Sequence, residues 1–177
     1  MLAQLEFLSA QLHRLNEFNT MFQTIAPMLH HLRGKVRRLL RDILSDFIAI
    51  DVVRKQDPLI ISIDCMEIRV PLDKMYMGIL ATYTLHACKD DPDALLKVKK
   101  ACVEFLVELG KQIRSRLNMN DPIFRVVEFL IPSNAIKCLP PLRHELFLTL
   151  SYLADVADKG RADLEWRRQS LEEDDAR

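Results

Sequence analysis

Apolar residues recur at intervals of three and four along most of this chain, and that spacing aligns them on one face of an α-helix. The first apolar seam consists of Leu5, Leu8, Leu12, Leu15, Phe18 and Phe22. Pro27 follows, and because proline removes a backbone donor and clashes with the preceding turn, it either kinks one long helix or begins a second. The apolar face continues from Leu29 to Ile48, and Asp57-Pro58 ends the helical segment.

The next segment has a different pattern. Residues 59–63 form a short, apolar, β-branched run, which is typical of a strand or an extended connection, and residues 66–70 alternate apolar with charged. Asp73 is placed to cap a helix that runs through Met75 and Tyr83, with Gly78 inside it.

Two Asp-Pro pairs predict helix starts, because aspartate caps the first turn and proline fits the first helical position. Asp91-Pro92 begins a helix that we expect to end near Asn118, and Asp121-Pro122 begins a short one. Pro140-Pro141 then breaks the chain before a leucine-rich helix, for which Gly160 is the expected stop.

These signals predict an all-α protein, an irregular bundle of six or seven helices with at most one short strand or hairpin near residues 59–70. The length of 177 residues fits one domain. We expect a single helical domain over residues 1–170, followed by an acidic, frayed tail at 171–177.

The composition restricts the function. Lys and Arg number 25 and Asp and Glu also number 25, so the formal net charge is zero and any nucleic-acid binding needs a local patch. Hydrophobic residues make up 49%, which excludes a disordered chain. No apolar run approaches the ~18 residues that a membrane helix needs, and no secretory leader is visible. We therefore expect an intracellular protein without a membrane partner.

One local patch stands out from His30 to Arg41, where five cations occur without an acid. On a helix the arginines fall along one stripe, which can neutralise phosphates of a nucleic-acid backbone. The alternative is a solvated face whose arginines pair with acids elsewhere in the fold. The candidate DNA contacts are Arg33, Arg37, Arg38 and Arg41.

Secondary candidates for nucleic-acid contact lie later in the chain. Lys100, Lys111 and Arg114 share a helix with surplus positive charge, although neighbouring glutamates at helical spacing neutralise part of it. Trp166 stands before two arginines and can stack on a base or anchor an interface. The alternatives are a solvated face for the first three and packing of a C-terminal helix for Trp166.

The sequence offers no catalytic pattern. Asp64 follows a strand-like run, as metal-binding aspartates do in nucleases with an RNase H-like core, but one carboxylate cannot hold Mg²⁺ for phosphoryl transfer. The four cysteines match no zinc-ligand spacing, and no glycine-rich phosphate loop or nucleophile elbow occurs. We therefore predict a non-enzyme without a catalytic residue, metal, cofactor or small-molecule substrate.

Three stretches of the sequence resemble blocks of proteins derived from hAT-superfamily transposases. They are FNTMFQTIAPMLHHL running into VRRLLRDILSDFI, then DPIFRVVEFLIPSNA, and then LADVADKGRADLEWRR. The blocks occur in the family's order from Phe18 to Arg168, so the resemblance covers most of the chain. It implies the all-helical insertion domain, with its flanks, that interrupts an RNase H-like catalytic core in these transposases.

The resemblance carries no catalytic residue over to this chain. The family's Asp-Asp-Glu triad, its BED-type zinc finger and its C-terminal dimerisation block find no match here. In related transposases the inserted domain contributes to binding of transposon ends and to assembly, which favours the nucleus as the location.

Two functional hypotheses follow. The first is a non-catalytic, transposase-derived helical domain that contributes to DNA-backbone binding or to assembly of a DNA-bound complex. The second is a helical protein-interaction or structural module without a nucleic-acid role, and its best feature is the seam formed by Leu5, Leu8, Leu12 and Leu15. A homo-oligomer or a transposase-like partner fits either hypothesis.

Overall fold

A computed structural model describes residues 2–23, 28–87, 91–128 and 131–135, together with 158, 160, 161, 164, 165 and 168. The prediction of an all-α fold is confirmed, because these residues form helices joined by turns and contain no strand. Their β pairing is limited to one antiparallel bridge between Ile48 and Arg69. The helices are α1 (Leu2–Phe22), α2 (Leu29–Leu44), α3 (Ile50–Lys55), α4 (Ile79–Ala87), α5 (Pro92–Arg116), α6 (Pro122–Val127) and α7 (Pro132–Ala135).

The chain divides into two compact units. The prediction of one domain over residues 1–170 stays a prediction, and the acidic tail at 171–177 lies outside the described residues. The first unit consists of Met1–Ile25 with Lys35–Asn118, and the second consists of Ala26–Gly34 with Met119–Arg177.

In the first unit, α1 packs against α4 and α5. The buried residues of α1 are Ala3, Phe7 and Gln11, which lie four apart and therefore share one face of the helix. The ring of Phe7 meets Phe105 of α5 edge to face, with a centroid distance of 5.9 Å and an interplanar angle of 81°. Aromatic rings favour this geometry, so the pair anchors α1 on α5.

Helix α5 lies close to its neighbours at Gly110. A Cβ atom at this position would lie 3.0 Å from Cδ1 of Ile63 and 3.9 Å from Cδ2 of Leu44. A side chain at position 110 would therefore press on Ile63, and glycine leaves the room that the close packing needs. Buried residues on both sides of Gly110, among them Leu106 and Ile113, extend this core along α5.

Helix α2 ends at Leu44, although the apolar pattern continues to Ile48 and predicts helix there. Beyond Leu44 the backbone pairs with a later segment, because the N–H of Ala49 donates to the carbonyl oxygen of Ile68 at 2.8 Å. Phe47 and Ile48 are buried, so their apolar character reflects the core and not a longer helix.

Asp46 is a buried charge at the end of α2, with 4% of its side chain exposed. Arg14 donates to both carboxylate oxygens from its two terminal nitrogens, at 2.6 and 3.2 Å, and Gln11 donates to the same group at 3.4 Å. The main-chain carbonyl oxygen of Asp46 accepts from the N–H of Tyr76 at 3.0 Å. Burial raises the pKa of the Asp46 carboxyl, and the guanidinium of Arg14 opposes that rise.

Residues 59–63 form turns, which differs from the strand or extended connection that their composition predicts. Arg114 of α5 donates from its terminal nitrogens to the carbonyl oxygens of Pro58 and Ile61, the latter at 2.7 Å. Arg69 donates to the carbonyl oxygen of Ile63 at 3.0 Å. Because guanidinium groups satisfy these carbonyls, the segment needs no partner strand.

Helix α4 begins at Ile79, so the prediction that Asp73 caps this helix is wrong. Gly78 has a φ of +89°, a left-handed conformation that glycine adopts readily and that a continuous right-handed helix cannot contain. Met75 and Met77 precede it in a non-helical segment and are buried. Their apolar character predicts a helix, but both side chains are buried in the core from a segment that is not helical.

The two predicted Asp-Pro helix starts are confirmed. The carboxylate of Asp91 accepts from the N–H of Ala94 at 2.9 Å at the start of α5, and Asp121 accepts from Ile123 at 2.9 Å at the start of α6. Each side chain satisfies a backbone donor that has no partner within its helix.

In the second unit, an ion pair joins α2 to the end of α6. Nη1 of Arg33 lies 3.3 Å from Oε2 of Glu128, and both side chains are mostly buried. The side-chain amide of Asn134 in α7 donates to the main-chain oxygen of Glu128 at 3.0 Å. Glu128 therefore connects three helical elements within this unit.

Gly160 is predicted to end a helix, but it lies at the start of a helical turn. The carboxylate of Asp158 accepts from the backbone N–H groups of Gly160 and Arg161, at 3.0 and 3.2 Å, and both residues have helical backbone. Asp158 thus caps the start of a helical turn. The helix predicted over 142–153 lies outside the described residues.

Substitution Arg14→Ala tests the role of the buried Asp46. Loss of the guanidinium leaves the carboxylate unpaired, and because Arg14 is about a quarter exposed we expect a cost of about 2–3 kcal/mol at neutral pH. Without Arg14 the pKa of the Asp46 carboxyl rises further. The substitution therefore destabilises the folded protein more when Asp46 is charged than when Asp46 is protonated. The difference from the parent should therefore shrink as pH falls below that pKa.

Urea unfolding at several pH values measures this difference. In the background of Asp46→Asn, the substitution Arg14→Ala should cost much less, because no buried charge is left behind. Equal costs in both backgrounds would show that the ion pair does not anchor α1.

Candidate functional site

The structure pairs two of the four predicted DNA contacts with acids of the chain. Arg33 is held by Glu128, and Nε of Arg37 lies 3.2 Å from Oδ1 of Asp57. For these two residues the alternative interpretation applies, in which the arginines of the stripe pair with acids elsewhere in the fold. Their charges are largely compensated within the chain, which leaves less positive charge for a phosphate backbone.

The other two arginines of the stripe are exposed. Arg38 and Arg41 lie on the solvent side of α2, while Leu39 and Leu40 between them are buried. Arg38 also lines a shallow groove of about 170 Å³ that contains Asp42. Acids and cations thus alternate here, and the net positive charge of this surface is modest.

Two further exposed cations, Arg54 and Lys55, lie within three residues of Asp57 in the chain, and sequence reasoning missed them. The ion pair of Arg37 with Asp57 brings the end of α3 beside α2, and the last turn of α3 carries Arg54 and Lys55, both exposed. The sequence feature that bears on their position is the Asp57 carboxylate, but the sequence does not show that its partner is Arg37. The exposed cations of this region are Arg38, Arg41, Arg54 and Lys55.

The secondary candidates have separate positions. Nζ of Lys111 lies 2.6 Å from Oδ1 of Asp64, and Lys100 is exposed beside an apolar groove of about 470 Å³. Arg114 is occupied by main-chain carbonyls, and burial lowers its pKa, so it holds the fold together and does not face solvent phosphate. Trp166 lies outside the described residues.

The leucine seam of α1 lies largely on its solvent side. Leu5 is 56% exposed and Leu12 is 62% exposed, whereas Leu8 and Leu15 are half-buried. The fold is anchored by the opposite face of α1, through Phe7 and the residues around it. The seam is therefore an apolar surface that the first unit does not cover.

A groove of about 350 Å³ adjoins the seam in the first unit. Its lining is mainly apolar and comes from α1 and α5, with Leu5 and Leu8 on one side and Cys102 and Phe105 on the other. The groove extends the apolar surface of α1 towards α5. Large contiguous apolar patches on a protein surface mark sites of interaction with other molecules.

A second apolar patch lies on α4. The sequence places Ile79, Leu80 and Tyr83 on a helix, and in the structure Ile79 is 79% exposed and Tyr83 is 78% exposed. The buried residues of α4 are Ala81 and Leu85.

The described residues contain no cluster of three or more His, Cys, Asp or Glu side chains arranged to hold a metal ion. Asp64, the carboxylate that resembles a nuclease ligand in sequence, is exposed and paired with Lys111. Among the described helices none has both the length and the apolar character needed to cross a membrane.

Comparisons with known proteins add no relative. A scan against protein-family models found no match, and searches of curated proteins and of solved structures found none either.

Cysteine alkylation tests the arrangement beside the seam. Burial raises the pKa of the Cys102 thiol to about 11, whereas Cys65 is partly exposed. At pH 8 only about one in a thousand Cys102 thiols is ionised, and the thiolate is the reactive form. Iodoacetamide should label Cys65 at least about tenfold faster than Cys102, as followed by peptide mass spectrometry. Equal rates would contradict the buried position of Cys102.

Proposed function

We propose that this chain is a non-catalytic helical module that binds protein through the α1 seam, within an assembly of the kind that hAT-type transposases form on DNA. The observation that carries this proposal is the outward position of Leu5 and Leu12 on a helix whose other face already anchors the fold. A single exposed leucine is ordinary, but a row of them at helical spacing is typical of a helix that docks on a partner.

The energetics of α1 favour this function. Phe7 and Arg14 hold the helix on the first unit, so the outward leucines are not needed for folding. Covering Leu5 and Leu12 with an apolar partner would contribute about 1–2 kcal/mol for each residue, because more than half of each is exposed. Leu8 and the groove towards Phe105 add further contact area to the same surface.

The resemblance supplies the setting of this proposal. The three sequence blocks support descent from the insertion domain of an hAT-type transposase, and that origin favours a nuclear, DNA-bound complex. The catalytic triad of that family finds no match in the sequence, which supports the non-catalytic part of the proposal.

Photo-crosslinking tests the interaction role. A benzophenone amino acid replaces Ser9, which is exposed between Leu5 and Leu12, and the control carries it at Ser115, which is exposed on α5. We expect irradiation with a nuclear extract to give discrete covalent adducts from position 9 and only weak, diffuse labelling from position 115. The adducts should disappear when Leu5 and Leu12 are both replaced by serine. Identical labelling from both positions would contradict the proposal.

A second candidate function is direct contact with the DNA backbone, and the four exposed cations Arg38, Arg41, Arg54 and Lys55 favour it. Phosphate contacts of this kind are independent of base sequence and weaken with salt, because each one releases a condensed counterion. Arg33 and Arg37 contribute less, since each already faces a carboxylate of the chain.

Salt-dependent fluorescence anisotropy with a short DNA duplex tests this candidate. The double substitution Arg38→Gln with Arg41→Gln should reduce the slope of log affinity against log salt by about 2, one for each phosphate contact. Lys97→Gln, an exposed lysine of α5, is the matched control and should leave the slope unchanged. An unaltered slope in the double variant, or no binding at low salt, would exclude the contact.

A further inference from the structure

We infer that an apolar groove beside α5 binds a small amphipathic carboxylate, an acid with an alkyl chain of the size found in medium-chain fatty acids. The groove has a volume of about 470 Å³ and a mainly apolar lining. All of its lining residues lie outside α1, so the inference goes beyond the interaction role proposed for the seam and does not depend on it. The acid is held as a ligand and is not a substrate.

The groove is built within the first unit. Lys100, Val103 and Glu104 of α5 line it together, because steps of three and four residues return to one face of a helix. The remaining lining comes from the segment 66–72 and from the buried Phe47. The N–H of Val70 donates to the carbonyl oxygen of Phe47 at 3.0 Å and fixes this segment. The groove is therefore largely formed before a ligand binds, as small-molecule sites usually are.

The volume and the lining of the groove suit an alkyl chain. Ligand pockets typically enclose about 300–1,000 Å³ and have mostly apolar walls with a few polar groups. Val70, Leu72 and Val103 supply aliphatic contacts. Met66 also lines the groove and is 71% exposed, and its flexible thioether side chain can adapt to the shape of a bound chain. Binding would thus remove apolar surface of both ligand and protein from water.

Arg69 supplies the polar group that selects an acid. Its Nη2 donates to the carbonyl oxygen of Ile63 at 3.0 Å, which is the one hydrogen bond that its side chain makes to the described residues. Its Nε is buried and has no hydrogen-bond partner among those residues. A guanidinium carries five N–H donors in a planar fork, and buried donors that stay unpaired are costly. A carboxylate is the planar acceptor that such a fork binds through two parallel bonds.

The charges around the groove favour a ligand with one negative charge. Arg69 and Lys100 are positive and Glu104 is negative, so one positive charge of the lining is unbalanced. Arg33 and Arg37 each face an acid of the chain, whereas Arg69 faces none within the part of the chain that the structure describes. A single carboxylate would balance the groove, an alcohol would leave the Arg69 donors unpaired, and a cation would be repelled.

Isothermal titration calorimetry of the full chain with three probes of similar chain length tests the choice of headgroup. Each probe is kept below the concentration at which it forms micelles. We expect decanoate to bind at one site and at least about tenfold more tightly than 1-decanol, and decyltrimethylammonium to bind more weakly than either. Equal affinities for decanoate and 1-decanol would overturn the inference, as would the absence of decanoate binding.

Variants of the two cations test their roles. Arg69→Lys keeps the charge but cannot form two parallel bonds, so it should weaken decanoate about tenfold and leave 1-decanol unchanged. Lys100→Glu, at an exposed position, should weaken decanoate about fivefold at low salt. Circular dichroism verifies that the variants fold. Decanoate affinity equal to that of the parent in both variants would contradict the proposed site.

Arg116→Glu is the matched control for Lys100→Glu. Arg116 is exposed on the same helix, and its distance from Lys100 along the axis is about 24 Å, at 1.5 Å per residue. This distance exceeds the screening length of about 10 Å at 0.1 M salt, so the control should bind decanoate as the parent does. An equal loss of affinity in the control would show that net charge, and not the groove, selects the acid.

Methyl NMR of protein labelled with ¹³C at the methionine methyl groups locates the ligand. Decanoate should shift the signal of Met66, which is assigned by its loss in Met66→Leu. The signal of Met77 should stay unchanged, because Met77 is buried and lines a different pocket. Saturable binding that leaves the Met66 signal unshifted would place the ligand on another surface, such as the exposed leucines of α1, and would overturn the assignment.

Discussion

The first unit depends on one buried carboxylate. Asp46 receives both terminal nitrogens of Arg14 and the side-chain amide of Gln11, and its main chain accepts the N–H of Tyr76. One residue thus connects α1, the end of α2 and the segment before α4. The pKa of Asp46 is raised because burial outweighs the attraction of Arg14, so removal of Arg14 would leave a costly buried charge.

This network also explains the two faces of α1. Because Gln11 and Arg14 must reach Asp46, the rotation of the helix about its axis is fixed, and Phe7 is turned towards α5. The leucines at Leu5 and Leu12 are then placed on the opposite side, where the first unit offers no cover. The seam is therefore exposed because the other face of α1 packs on the first unit.

Much of the fold could be predicted from local signals, and the remainder could not. The Asp-Pro helix starts at Asp91 and Asp121 depend on neighbouring residues alone, so the sequence is sufficient to predict them. The end of α2 depends on a distant partner, because the carbonyl oxygen of Ile68 pairs with the backbone beyond α2. The start of α4 is set by the left-handed backbone of Gly78, which excludes an earlier start. Periodicity could not separate apolar residues that bury in turns from those that bury in helices.

The same distinction between local signals and distant partners applies to the candidate surfaces. The arginine stripe was visible because its members are close in sequence, but the partners of Arg33 and Arg37 come from Glu128 and Asp57, at separations that no local pattern reveals. The leucine seam was predicted as a helical face, yet periodicity cannot say on which side the fold lies. That information came from Gln11 and Arg14 of α1, whose target, Asp46, lies in the turn that follows α2.

The packing at Gly110 links two positions that are far apart in the chain. A methyl group there would press on the end of the Ile63 side chain, 3.0 Å away, while the contact with Leu44 at 3.9 Å would remain ordinary. The obstacle is thus a single terminal carbon, which valine at position 63 would lack. Changes at positions 110 and 63 should therefore be coupled in natural variation, because alanine at 110 becomes acceptable where residue 63 is shorter. If the alanine arises first, the intermediate sequence is overpacked; if the shorter residue 63 arises first, the intermediate is loosely packed.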